Sequence, residues 1–206
     1  MMPGSVKILD AAQMLFAAKG VDGVSIREIA QGAGISKATV FHHFENKDAL
    51  YQAVVKRSCV ASAAFLTQLV EREDGQPLAA LADYRRLDLQ EMSAHGDVTR
   101  LILRELMLGQ DKLGRQLAEE VFGEQFLNLR SLIEKAQSSG DFKKEMDTGL
   151  AAASVVSINL FLFMVWPVLK HLPESPFVSM EAAAESMFLL LVNGMAGKAS
   201  IQGDQS

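Results

Sequence analysis

AGISKATVFHHFENKDAL, residues 33–50, sets two histidines, two lysines and two phenylalanines among small residues within eighteen positions. Gly34 suits the positive φ of a tight turn, Ser36 the cap of a short helix running to about His43, and Asn46 the cap of the next. Just upstream, Ser25-Ile26-Arg27-Glu28 has the form of a capping box, in which the serine hydroxyl accepts from the glutamate backbone and the glutamate side chain reaches back. Two short helices joined by a glycine-containing turn are the ingredients of a helix-turn-helix. Ala30 is small where the helices must approach closely, and Ile35 and Val40 supply the apolar plug between them. With Val40 inward, Ala38 and His42 point most directly outward, flanked by Thr39 and Phe41. The end bearing Ser36, Lys37 and Thr39 is then free to enter a major groove. An ordinary αα-corner uses the same Ala-x-x-x-Gly spacing, so the surroundings decide.

Outward from this stretch the pattern is helical from end to end, with few strand signals. Ile8, Ala11, Ala12, Leu15 and Phe16 recur at steps of three and four, which predicts an amphipathic first helix ending at Gly20. A long fourth helix is expected from Lys47 past Val70, with Asp48 in its first turn where the helix dipole favours negative charge. Further helical patterns cover roughly 78–93, 98–109, 112–139, 147–166 and 180–196, separated by turn-forming runs. The expected fold is all-α, about nine helices: a three-helix helix-turn-helix domain at 1–50, then a helical bundle at 51–206 for effector binding and dimerisation.

The net charge of −5 by itself argues against a phosphate-binding surface, yet the charge is segregated. Residues 1–58 hold 7 Lys+Arg and 5 Asp+Glu, leaving 13 and 20 for the rest. One cysteine, Cys59, rules out an intramolecular disulfide and fits a reducing cytoplasm, the expected location. Its neighbours in SCVASAAF are small and apolar, as around a buried inert thiol. Residues 151–169 form the one stretch read as a membrane candidate; Ser154, Ser157, Asn159 and Pro167 interrupt it, and a helix buried on all sides has the same composition. No membrane association is expected. Adjacent histidines on a helix point about 100° apart, so His42 and His43 are not expected to hold a metal, and no cofactor is expected. Phe44 is read as core, closing the third helix onto the first.

The whole run ILDAAQMLFAAKGVDGVSIREIAQGAGISKATVFHHFENKDAL, residues 8–50, resembles the DNA-binding domain of the TetR repressor family. There a first helix braces a helix-turn-helix and a Phe-x-x-Lys-x-x-Leu segment opens the fourth helix, here Phe44, Lys47 and Leu50. The resemblance implies a double-stranded DNA operator as partner, with Lys37, Ala38, Thr39 and His43 on the recognition helix and Arg27 near the start of helix two. It implies a phosphate contact from Lys47, which agrees with a cation set beside the exposed N–H groups of a helix start. The full candidate set is Arg27, Ser36, Lys37, Ala38, Thr39, Phe41, His42, His43 and Lys47. Phe41 departs from the family, which usually has tyrosine there with a hydroxyl that reaches the DNA backbone.

The resemblance also implies a C-terminal domain with an effector cavity and a homodimer interface of two long helices from each subunit. The segment LAAASVVSINLFLFMVWPVL is apolar around its circumference and needs covering on all sides, which a second subunit provides. Val156, Leu160, Met187, Phe188, Leu191 and Met195 are the expected interface residues. A mainly apolar small effector is expected against Phe65, Leu106, Phe122, Phe126, Phe163 and Trp166. Glu105 and Asn159, polar groups in apolar stretches that require partners, would orient it. The sequence thus reads as a homodimeric repressor released from a pseudo-palindromic operator by a ligand, with control by a protein partner as the alternative. An enzyme built on Cys59 with His95 or His171 lacks a recognisable catalytic setting and is not expected.

Overall fold

In α1 (Pro3–Lys19) the apolar positions Ile8, Leu9, Ala11, Ala12 and Phe16 share one buried stripe. Gly20, at φ 80°, ends the helix with its N–H donating to the Phe16 carbonyl at 2.8 Å. The capping box of α2 (Ile26–Gly32) forms as the sequence predicts: the Ser25 hydroxyl accepts from Glu28 N at 3.2 Å, and Glu28 Oε2 accepts from Ser25 N at 2.8 Å. Gly34 turns the chain at φ 68°, and Ile35 N–H reaches back to the Ala30 carbonyl at 3.0 Å. Ser36 caps α3 (Lys37–His43), accepting from Thr39 N at 3.1 Å, with Val40 fully buried behind it. Asn46 Oδ1 accepts from Ala49 N at 2.8 Å and starts α4 (Lys47–Glu71).

The computed structural model describes residues 3–72, 75–108 and 111–195, and every regular element among them is helical. After α4 come α5 (Pro77–Ala94), α6 (Gly96–Met107), α7 (Asp111–Leu117), α8 (Gly123–Ser139), α9 (Thr148–Leu169) and α10 (Met180–Met195). Proline at the first position of α5 costs no hydrogen bond there, and Asp147 caps α9 through Leu150 N at 2.8 Å. The run expected as one helix over 112–139 is broken by a π-helical turn, Ala118–Phe122. A Cβ at Gly123 would sit 2.7 Å from the Ala118 carbonyl oxygen, so the wider turn requires glycine at its exit. Counting α7, the π turn and α8 as one run gives nine helices among the described residues. The last residue of the expected sixth helix, 109, and of the expected final helix, 196, lie outside the described residues.

The chain divides into two compact units, and they do not follow a cut at residue 50. One joins Met1–Val60 to His95–Gly123; the other joins Ala61–Ala94 to Glu124–Ser206. The reason is a set of polar latches from α6 to the first helices. Asp97 accepts from Gln13 Nε2 at 2.9 Å, Arg104 Nη2 donates to the Phe16 carbonyl at 2.8 Å, and Glu105 Oε1 accepts from Val21 N at 3.3 Å. Val98 and Leu101 join Ile8, Phe16, Tyr51 and Val54 in the core of this first unit. The second unit packs Leu66, Leu69, Leu81 and Tyr84 against Leu129, Ile133, Val155, Leu162 and Phe188.

Two helices, Lys47–Glu71 and Thr148–Leu169, are long and apolar enough to cross a membrane by length and composition. The first escapes a reading for long apolar runs because Lys56 and Arg57 fall within it. Arg57 is engaged inside the first unit, donating to Asp10 at 2.7 Å and Gln13 at 2.5 Å.

Candidate functional site

The outer face of α3 carries Lys37, Ala38, Phe41 and His42, all exposed, with Ser36 exposed at its cap and Arg27 exposed on α2. This arrangement is set locally. Burying Val40 turns its neighbours outward, and the serine cap satisfies the first N–H groups of α3 without covering its end. Lys37 Nζ lies 5.5 Å from the centroid of Phe41, a cation over a ring that is 45% exposed. Without the family's tyrosine hydroxyl, this position presents an aromatic face topped by positive charge. Thr39 is half-buried, its hydroxyl 2.8 Å from that of Ser36, so it belongs to the cap as well as to the outer surface. The ring of His43 is half-buried beside Gly4, whose Cβ, if present, would lie 3.2 Å from Nε2. His42 and His43 rings stand edge to face at 5.4 Å.

Lys47 is half-buried and donates from Nζ to the carbonyls of Val21 at 2.8 Å and Val24 at 3.2 Å. Two of its three ammonium hydrogens therefore fasten the start of α4 to the segment leading into α2, and one stays available to an external acceptor. On α2, a hydrogen bond from Lys19 at 2.7 Å, helped by the Ser25 backbone and hydroxyl, holds the Glu28 carboxyl at about 2. The fold thus gives an exposed helix end carrying a cation and an aromatic ring, on a unit whose entry loop is fixed from α4 and α6.

Residues 8–54 match the family of bacterial regulatory proteins named tetR. Over 164 residues the chain is 32% identical to the HTH-type transcriptional regulator RutR of Escherichia coli O157:H7, covering 80% of this chain and 71% of that protein. The chain belongs to the TetR family. It is a DNA-binding transcriptional regulator and not an enzyme. The match to RutR of Escherichia coli K12 is 40% identical over 83 residues, 40% of this chain and 38% of that protein. Among solved structures, PfmR of Thermus thermophilus shares the fold at TM-score 0.66 and 23% identity, over 90% of this chain and 97% of that one. FadR of Bacillus subtilis does so at TM-score 0.72 and 21% identity, over 92% and 98%.

The residues expected to line an effector site in this TetR-family regulator are not all brought together. Phe65, Phe126, Asn159, Phe163 and Trp166 lie in the second unit; Glu105, Leu106 and Phe122 lie in the first. Glu105 is fully buried, but its partners are Val21 N and Arg104, 3.5 Å from its carboxylate, so it is a latch of the DNA-binding unit. Leu106 is exposed, and Phe122 packs on the first unit's core. Asn159 is buried and donates from Nδ2 to the Arg85 carbonyl and to Asp88 Oδ2, both at 2.9 Å. Arg85, itself buried, pairs with Glu185 on α10 and stacks 5.4 Å from the Phe188 ring centroid. Burial pushes the Asp88 carboxyl up to about 6, against the opposing hydrogen bond from Asn159, with Glu91 adding to the rise.

Arg85, Asp88 and Glu185 were not expected here, although Leu81, Arg85 and Leu89 at four-residue steps place the arginine on the apolar stripe of α5. Of the expected interface residues, Phe188 and Met195 belong to the second unit's own core, and Val156, Met187 and Leu191 are half-buried against it. Leu160 is partly exposed. The large apolar side chains left outward are Leu150, Leu160, Phe161, Met164 and Val168 on α9 and Leu189 and Leu190 on α10, so of the expected set Leu160 does face outward. The reason is register: the turn that packs Phe188 and Leu162 inward presents their neighbours one position away. Cys59 is half-buried on the first unit's core.

Proposed function

We propose that this TetR-family regulator is a homodimeric cytoplasmic repressor that leaves a pseudo-palindromic operator when a mainly apolar small molecule binds its second unit. The observation that carries this reading is the outer face of α3, a capped helix end with Lys37, Phe41 and His42 exposed above a buried Val40. In this reading Lys37 and Thr39 read base edges, and Lys47 and Arg27 hold phosphates. Dimerisation is supported by the outward faces of α9 and α10. Leu150, Ser157, Phe161, Met164 and Val168 follow one another at helical spacing, as do Ala182, Ser186, Leu189, Leu190 and Asn193. In a DNA-binding regulator α4 and α9 act as core and interface helices, so their apolar character needs no bilayer. FadR of Bacillus subtilis, which shares the fold, was solved with stearoyl-CoA, an example of this architecture holding an apolar chain. The polar cluster at Arg85 and Asn159 gives the effector reading a local basis in this chain.

Selection of bound duplexes from a random DNA pool tests the proposal. Two inverted half-sites near one helical turn apart are expected, and release by members of a panel of apolar small molecules. Enrichment of a single asymmetric site, with no release by any of them, would overturn it.

A further inference from the structure

Three helices of the second unit meet at two polar side chains that apolar packing alone does not account for. Arg85 on α5 and Asn159 on α9 expose 2% and 1% of their surface, among Leu81, Leu89, Val155 and Leu162. They adjoin directly, since Asn159 Nδ2 donates to the Arg85 carbonyl at 2.9 Å. Each also holds one polar atom without a partner among the described residues: Nε of Arg85, a donor, and Oδ1 of Asn159, an acceptor. Buried polar atoms in native proteins are almost always hydrogen-bonded, so an unpartnered donor and acceptor on touching residues invite an occupant that supplies the opposite pair.

We propose that Arg85 and Asn159 are the polar anchor of the effector site, and that they take a neutral head group, an amide or an alcohol on an apolar body. This rests on the reading of the second unit as the effector unit. Such a head offers an acceptor oxygen to Arg85 Nε and a donor hydrogen to Asn159 Oδ1. Charge decides against the alternatives. Glu185 already neutralises the guanidinium through Nη2, and Asp88 with Glu91 brings further carboxylates to the α5 side of the amide. A carboxylate head would gain no uncompensated cation and would meet like charge; an ammonium head would supply no acceptor to Nε. The Phe188 ring, packed on the guanidinium, restricts its plane and so fixes the direction of Nε–H.

Octanamide, octanoate and octylamine share one apolar body and differ in the head, so calorimetric titration of the full-length protein with each isolates the anchor. Octanamide is expected to bind about tenfold more tightly than either, as for one well-made buried hydrogen bond. Arg85→Lys keeps a cation for Glu185 but removes Nε, and should narrow that preference to about threefold or less with helix content unchanged by circular dichroism. Asn159→Leu, which removes the acceptor at similar volume, should narrow it likewise and serves if the lysine variant unfolds. Equal or tighter binding of octanoate or octylamine would overturn the anchor while leaving an apolar effector standing. Binding of none of the three would overturn the anchor too, and the operator-release panel then decides the effector reading independently.

Discussion

Asp88 shows how one residue reports on its surroundings. Burial holds its carboxyl at about 6, above the ordinary 3.8, so the folded protein keeps a proton that the unfolded chain gives up. Stability from this group therefore rises as pH falls through 6 toward 4, and above 6 the buried charge costs free energy. Asp88→Asn keeps an oxygen to accept from Asn159 and carries no charge, so it should be more stable than the parent at about pH 7.5, with the gap shrinking at about pH 5. Urea midpoints of both proteins at the two pH values check this, and a gap independent of pH would refute it. Glu28 behaves oppositely: lowered to about 2 by Lys19 and Ser25, it stabilises above its ordinary 4.5 and loses that contribution as pH falls toward 2. Comparing Asp88→Asn with its parent leaves the Glu28 contribution common to both. At this scale the capping residues Ser25, Ser36 and Asn46 were legible in the sequence, because a cap acts on its own next turn and needs no distant partner. Asp88 was not legible. Its rise comes from burial, which tertiary packing sets, and the hydrogen bond that opposes it comes from a side chain 71 positions away.

At the scale of elements, the start of α4 and the loop from Gly20 to Ser25 act as one piece because Lys47 Nζ joins them. The same lysine is the proposed phosphate ligand, and the two roles separate experimentally. Lys47→Ala should lower stability by about 2 kcal/mol, for two charge-assisted hydrogen bonds to carbonyls that are part-buried. If its remaining N–H also neutralises a phosphate in each half-site, the slope of log K against log salt should flatten by about 1.8 in the dimer, at roughly 0.9 per phosphate. Chemical denaturation and operator titrations across salt measure the two effects. A stability loss with an unchanged slope would confine Lys47 to its structural role. The position was legible as a helix-start cation; the two carbonyls that hold it, 23 and 26 residues upstream, were not.

For the whole molecule, the proposed two-fold dimer places the outward residues of α10 at the subunit boundary. Leu190 is 73% exposed and is not a member of the second unit's core. Leu190→Glu should raise the dimer dissociation constant by about 100-fold, as for a charge set into an apolar interface, and leave a folded monomer. Sedimentation at micromolar concentration checks it, and an unaltered dimer would move the interface elsewhere. The contrast with Phe188 marks what the chain determines by itself. Helical periodicity, caps and the glycine at 34 act within one or two turns, so the all-α class, the helix-turn-helix and most helix ends follow from local sequence. Periodicity also tells that α9 and α10 are apolar, but both have more than one apolar face, and which face turns inward depends on the helices packed against them. The return of α6 to the first unit has the same origin: Glu105 looks like a pocket residue in sequence until Val21 N–H, 84 positions away, becomes its partner. Tertiary structure alone joined Arg85, Asp88, Asn159 and Glu185, because pairing of buried polar groups is settled by distance in space and not along the chain.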